Sequence, residues 1–479
     1  MSLKNTNYDI IVIGAGSGGL SVSLFMHKAT FKVLLIDRSD QAIGGDCLND
    51  GCVPSKALIH VSRIIHDARK AGQFGMVTEG TLDAGRVMEY IVNSQNIIRE
   101  RENATYFRND GLAVALGEAS LSGSNEVKVN ERYYTAKAIV IATGSRPMKL
   151  KLPGIELVKY YDNESIFHID RLPKKLLVVG GGPVGVEIAQ AFQRLGSTVV
   201  IVHRGRHLLK KDPVKIANIL QRQMEKEGVT ILLQSQVKRF LSSTIAEIEV
   251  DGKNIEMSFD AIFVAIGRKP DLGPLTLENG NVKVNDGQIV VNEFLRTTNK
   301  KIYVCGDVAG SLKFSHAAEH QARIILNNLF SPVKKKLNND HLSWVTFSDP
   351  EVASFGLSEQ ELQKRKISYE LLETGFEDDD RAVVDRHRYG QLSLYVSKKN
   401  VFLKQKILGG SMVAPHAGEL IQELILANTN GLSINTIFNK IYPYPVAARI
   451  NQKIIVDYKA RGLTNGIKKL LRMAFNIFN

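Results

Sequence analysis

Runs of apolar residues set the rhythm of this chain. Residues 8–13 are apolar almost without interruption, the pattern of a strand covered on both faces in a parallel sheet. Gly14-Ala15-Gly16-Ser17-Gly18-Gly19 follows at once, residues 20–28 take helical spacing, and a second apolar strand at 32–36 ends in Asp37. The order returns downstream as a strand at 175–179, Gly180-Gly181-Gly182-Pro183-Val184-Gly185, a helix at 186–195 and a strand at 198–202. Each copy has a matching exit, a buried strand (138–142 and 261–265) that runs into a small-residue turn with Arg and then Pro at 144–147 and 267–270. Residues 302–307 form one more apolar strand capped by Gly306-Asp307, and 57–107 predicts mostly helix with no chemistry of its own. After about residue 340 the rhythm changes. Residues 344–347 and 391–396 alternate, as strands of an antiparallel sheet do, and 417–428 has the spacing of one amphipathic helix.

This pattern predicts an α/β chain with two Rossmann-like dinucleotide-binding domains and a C-terminal α+β domain. Residues 1–150 and 268–340 would form the first domain, 151–267 the second, 341–460 the third, and 461–479 a basic amphipathic tail. In each glycine motif the bare backbone turns tightly and lets a pyrophosphate approach a helix N-terminus. Asp37 lies 23 positions after Gly14, where a carboxylate binds a ribose hydroxyl pair. The same count from Gly180 reaches His203, followed by Arg204 and Arg206. A cationic cluster in an acid's place either binds a ribose 2′-phosphate, and so NADPH, or is a solvated charged loop.

Composition adds exclusions. A chain of 479 residues needs two to four domains, and its formal net charge of +13 is scattered apart from clusters at 204–211, 334–336 and the C-terminus. Without an aromatic-interleaved basic stripe, nucleic acid is not the expected partner. No run reaches membrane-spanning length and the start lacks a signal-peptide core, so a cytoplasmic protein is expected.

The three cysteines are Cys47, Cys52 and Cys305. Cys47 and Cys52 have four residues between them, and Asp50-Gly51 supplies the bend their sulfurs need to meet. Pro54 suits a first helical turn, which puts Cys52 near a helix N-terminus that favours a thiolate. The pair reads as a redox-active dithiol/disulfide, as two unrelated buried thiols, or as half of a zinc site; nothing else in the sequence completes a metal site, so none is expected. Cys305 reads as a small core residue and His416 as a cap or surface residue.

Two Gly-rich folds, the first followed by Cys-x4-Cys and a lysine, closely resemble the flavoprotein pyridine nucleotide–disulfide oxidoreductases, whose members include glutathione reductase, dihydrolipoamide dehydrogenase and mercuric reductase. The resemblance covers residues 8 to about 455 and rests on 44–56, 142–147, 180–187, 267–270, Gly306-Asp307 and Asp349-Pro350-Glu351-Val352-Ala353. It implies FAD in the first fold, NAD(P)H in the second, a C-terminal homodimerisation domain, and electrons passing from nicotinamide through flavin to the disulfide. By the resemblance, Cys52 lies nearest the flavin, Cys47 attacks the acceptor, and Lys56 pairs with Glu187; with Tyr444 these form the expected catalytic set. Cofactor contacts are expected at Gly14, Gly16, Gly19, Asp37, Gly45, Lys56, Thr143 and Gly144, at Gly180, Gly182, Gly185, His203, Arg204 and Arg206, and at Gly267, Arg268, Gly306 and Asp307.

The chain departs from the family pattern in two places. Pro183 stands where many relatives have a tyrosine lid, and the family's His-Pro-Thr-x-x-Glu reads Tyr444-Pro445-Val446-Ala447-Ala448-Arg449. A tyrosine, with an ordinary pKa of about 10, shuttles protons at neutral pH less well than histidine near about 6.5. Mercuric reductase is similar at this tyrosine, whereas its C-terminal cysteine pair and N-terminal metal-carrying domain are not expected of this chain. The implied function is an FAD-dependent oxidoreductase, mercuric reductase-like, that passes electrons from NADPH, or NADH, to a small-molecule or protein thiol/disulfide or another thiol-reactive acceptor. The alternatives are a dihydrolipoamide dehydrogenase-type enzyme and a slow flavin redox sensor. In the tail, Ile467, Leu470, Leu471, Ala474 and Ile477 share one helical face, with Lys468, Lys469 and Arg472 elsewhere, so it docks on the protein's own dimer or on a membrane surface.

Overall fold

The structure, a computed structural model, describes residues 6–77, 80–310, 312–398 and 404–479. The chain forms two compact units, one built from residues up to Arg204 together with Leu232–Leu337, the other from Gly205–Ile231 and Asn338–Asn479.

In the first unit the opening apolar run is β1 (Thr6–Ile13), followed by α1 (Ser17–Lys28), β2 (Val33–Asp37), the short α2 (Gly45–Asn49), α3 (Cys52–Lys70), β3 (Ala113–Leu116) and β4 (Arg132–Ile141). The second pass is β5 (Lys175–Val179), α4 (Pro183–Leu195), β6 (Thr198–Val202) and β7 (Ala261–Val264). β8 (Ile302–Val304) then pairs parallel with β4, and α5 (Ser315–Phe330) packs against α1. β1 lies between β2 and β4, with Ile11 opposite both Leu34 and Ile139. β5 lies between β6 and β7 in the same way, with Leu177 opposite Val200 and Ile262.

The unbroken apolar runs are explained by burial on both faces. Ile10, Val12 and Leu35 pack with Val22 and Met26 of α1, while Ile11, Ile13 and Ile139 face a second cluster with Leu121 and Val127. Each such side chain contributes about 1.5–3 kcal/mol on leaving water. The two glycine turns close alike. A Cβ on Gly14 would lie 2.3 Å from the Ala142 carbonyl oxygen, and one on Gly180 would lie 2.3 Å from that of Ala265. Both take a left-handed backbone, φ +106° and +119°, and both therefore need glycine.

In the second unit an antiparallel sheet is built from β9 (Ser343–Thr346), β10 (Glu351–Gly356), β11 (Tyr369–Gly375), β12 (Gln391–Ser397) and β13 (Ile407–Ala414), in the order β9-β10-β13-β12-β11. One expectation is corrected in this unit. The strand expected at 391–396 is present, and every residue of that stretch is buried, so both of its faces are covered. Leu392, Leu394 and Val396 pack with Leu424 and Ile454. The polar face is satisfied internally: Ser354 donates to Asp212 Oδ1 at 2.6 Å and lies 2.8 Å from Ser411, and Trp344 Nε1 donates to the same Asp212 oxygen at 3.0 Å. The single helix expected at 417–428 is two, Ala417–Leu420 and Gln422–Thr429, joined at Ile421. Ile421 and Leu424 both enter the core, so the apolar spacing runs on through the break. His416 caps the first piece through its backbone, in a left-handed conformation. The chain closes with α6 (Ile450–Arg461) and α7 (Asn465–Phe478).

Candidate active site

The dithiol loop is laid on the first glycine turn. Gly44 N donates to the Ala15 carbonyl at 2.9 Å, and a Cβ on Gly45 would lie 2.6 Å from Gly16 Cα. Two backbones approach closely there, and any side chain would force them apart. The loop is then pinned from a region expected to be idle. Asn49 Nδ2 donates to Gly45 O at 2.9 Å and its Oδ1 accepts from Arg99 at 2.5 Å; Gln95 donates to the carbonyls of Leu48 at 2.9 Å and Asn49 at 2.7 Å. Gln95 and Arg99 are thus positioning residues that sequence reasoning missed. Their only local signal is the placement of polar residues within an amphipathic helix, which does not reveal a loop some 46 positions away.

Cys47 and Cys52 are free cysteines hydrogen-bonded to one another. The hydrogen bond from Cys47, then the charge of Lys56, pulls Cys52 down to about 6, against an ordinary value of about 8.5. The same hydrogen bond and burial push Cys47 well up. Cys52 opens α3, and its sulfur lies 3.8 Å from the hydroxyl of Ser315, which opens α5, so two helix N-termini face the thiolate. Lys56 Nζ is 2.9 Å from Glu187 Oε2, as the resemblance implied, and the Glu187 side chain is only 5% exposed. Cys305 is fully buried, with its sulfur 3.4 Å from the Ala318 carbonyl oxygen, as a core residue.

A hydrogen-bond network surrounds this loop, and it engages Thr143, Gly144, Arg268 and Asp307, which were expected as cofactor contacts. Arg268 donates to Asp46 Oδ1 at 2.8 Å, to Asn163 Oδ1 at 3.0 Å and to Ser145 Oγ at 2.8 Å. Ser145 in turn donates to Asp307 Oδ2 at 2.5 Å. Thr143 Oγ1 donates to the Asp271 carbonyl at 2.6 Å, and Gly144 accepts from Asp271 N at 3.0 Å, so the exit strands are tied together. Asp50, inside the loop, is pushed up to about 7 by burial and by the charges of Asp46 and Glu164. The donor set fits a dinucleotide: bare glycines at Gly16 and Gly19, no acid in the first turn of α1, and half-buried Asp37 and Asp307.

The two acid slots do the same mechanical work with different groups. Asp37 Oδ2 accepts from Ala15 N at 2.6 Å, and His203 Nδ1 accepts from Gly181 N at 3.1 Å. His203 therefore serves its glycine turn as an acceptor at Nδ1, beside Arg204 and Arg206. Both are exposed, and among the described residues neither has an acid partner. Arg206 lines an open cleft of about 430 Å³ with His207 and Lys210. The first turn of α4 also lacks an acid, and Gly182 has open space where a Cβ would stand. Gly185 is closed against Gly180 O, as Gly19 is against Gly14 O.

Tyr444 belongs to the second unit and is 67% exposed. Its hydroxyl donates to Asp380 at 3.1 Å, and the Arg449 guanidinium lies over its ring at 5.1 Å. The bond to Asp380 moves its pKa upward, away from neutrality. Arg449, which stands in the glutamate's place, packs on the tyrosine instead of orienting an imidazole.

Comparison with known proteins agrees with this geometry. Residues 8–322 match the family described as pyridine nucleotide-disulphide oxidoreductase, and 342–453 match its dimerisation domain. Mercuric reductase of Staphylococcus aureus is 29% identical over 446 residues, covering 92% of this chain and 80% of that enzyme. Dihydrolipoyl dehydrogenase of Mycoplasma genitalium is 31% identical over 468 residues, 94% of this chain and 99% of the other. Among solved structures, the HOCl-induced flavoprotein disulfide reductase RclA from Escherichia coli aligns with a TM-score of 0.80 at 25% identity, over 93% of this chain and 99% of that one.

Proposed function

The chain belongs to the pyridine nucleotide-disulphide oxidoreductase family, and on that premise we propose that it draws electrons from NADPH and delivers them through Cys52 and Cys47 to a thiol-reactive acceptor. As an NAD(P)H-dependent flavoprotein disulfide oxidoreductase it uses FAD, which supplies the two-electron relay between nicotinamide and dithiol. Gly14, Gly16, Gly19, Gly45 and Asp307 would hold that group, and Gly180, Gly182 and Gly185 the nicotinamide dinucleotide. The observation that carries the reading is the geometry of the dithiol: Cys52 opens α3 with its sulfur 3.8 Å from the Ser315 hydroxyl, and the hydrogen bond from Cys47 and the charge of Lys56 both lower its pKa.

With a disulfide acceptor the electrons and atoms balance simply. The Cys47 sulfur attacks one acceptor sulfur while its proton moves to Cys52, and one thiolate leaves. The Cys52 sulfur then closes on Cys47, its proton leaving with the second thiol. No histidine stands at 444 to protonate the departing thiolate, which favours mercuric reductase-like acceptors over glutathione disulfide or lipoamide. The 31% identity to a dihydrolipoyl dehydrogenase keeps that type of enzyme as the second reading. The partner of this reading is a second copy of the chain, through 342–453. The cytoplasm, where thiols stay reduced, is its compartment.

The test is an anaerobic titration of the flavoprotein with NADPH and, separately, NADH. A long-wavelength thiolate–flavin absorbance band that Cys52→Ser abolishes is expected. Arg204→Glu with Arg206→Glu should raise KM for NADPH more than about tenfold while sparing NADH. Full bleaching of the flavin with no such band would take the cysteines off the electron path.

A further inference from the structure

We infer that α7 is a docking helix for an anionic membrane surface. The helix runs from Asn465 to Phe478, its Thr464 side chain accepting from Ile467 N at the N-terminus. None of its residues is buried: Leu470 is 65% exposed, Phe475 67% and Phe478 83%. At 100° per residue, Ile467, Leu470, Leu471, Phe475, Ile477 and Phe478, with Met473 at the margin, spread over about 200° of the circumference. Lys468, Lys469 and Arg472 fill the narrow remaining sector with Asn465 and Asn476.

Two features choose the occupant. The first is charge. The helix has three basic residues and no acid, and the last acid in the chain is Asp457. A second copy of the chain carries the same formal net charge of +13, so mutual docking would gain nothing from long-range electrostatics, whereas an anionic lipid headgroup layer is complementary. The second is width. A helix seated on a folded core needs an apolar stripe of about 100°, while one lying in a headgroup interface sinks its whole apolar half and leaves its basic edge at the surface. With 14 residues it lies on the bilayer and does not cross it, and no described helix is long and apolar enough to cross.

This inference stands apart from the choice of acceptor. It is tested by co-sedimenting the full flavin-loaded protein with vesicles of phosphatidylcholine alone and of phosphatidylcholine with phosphatidylglycerol, at low and high salt. Binding is expected on the anionic vesicles, weakened by salt. Leu470→Glu with Phe475→Glu should abolish it, and Lys468→Glu with Lys469→Glu and Arg472→Glu should lower the partition coefficient by at least about tenfold, given roughly fivefold per basic residue at an anionic surface. NADPH oxidation and sedimentation coefficient should be unchanged in both variants. The proposal is overturned if the parent protein stays in the supernatant with both vesicle types. It is equally overturned if the variants still bind, or if Leu470→Glu with Phe475→Glu converts dimer to monomer, since the face then belongs to a second copy.

Discussion

Lys56 and Glu187 stand 131 positions apart and meet at 2.9 Å, one on α3 of the first dinucleotide fold and the other on α4 of the second. The pair fixes a cation beside Cys52 and a carboxylate in a nearly closed interior. Lys56→Met should raise the Cys52 pKa from about 6 by about one unit. It should also cost about 2 kcal/mol of stability by taking the lysine from Glu187. The pH dependence of thiolate ultraviolet absorbance in the reduced protein reads the first effect and urea unfolding the second. An unmoved thiol midpoint would remove Lys56 from the account of the thiolate.

Asp50 gives the loop a pH dependence. Burial, with Asp46 and Glu164, pushes it up to about 7, above the ordinary value of about 3.9. The fold thus favours its neutral form, and that contribution is full below about pH 4 and lost as pH rises through about 7. Asp50→Asn should match the parent's stability near pH 4 and exceed it near pH 8 by on the order of 2 kcal/mol. Unfolding curves across that range check this; a constant difference would contradict it.

Tyr444 keeps its proton. With Asp380 raising its pKa, it is no base at neutral pH, so Tyr444→Phe should change glutathione disulfide turnover less than about threefold. Tyr444→His combined with Arg449→Glu should raise that turnover by at least about tenfold, if the family's proton relay is what this chain lacks. A hundredfold loss in Tyr444→Phe would instead make the tyrosine a proton donor.

Two glycine substitutions should separate fold from ligand. A Cβ on Gly19 would lie 1.8 Å from Gly14 O, whereas one on Gly182 would meet nothing within 4 Å. Gly19→Ala should yield protein without flavin. Gly182→Ala should fold with flavin bound and lose only NADPH affinity, which a flavin spectrum and KM measurements distinguish.

The sequence by itself determined whatever consecutive residues dictate. The strand–glycine–helix passes, the cysteine pair at a helix start and the unequal acid slots all follow from backbone sterics and from apolar runs that allow only buried strands. Tertiary structure decided what depends on partners far along the chain. Arg268 neutralises Asp46 from 222 positions away, and Gln95 and Arg99 pin the dithiol loop from a helix that seemed idle. His203, a cation by composition, becomes an acceptor only because Gly181 N–H points at it. Trp344 and Ser354 of the antiparallel sheet find their acceptor in Asp212, 132 and 142 positions away. Periodicity records which side of an element is apolar; it carries no record of which distant donor meets a polar group, because packing alone brings the two within hydrogen-bond reach.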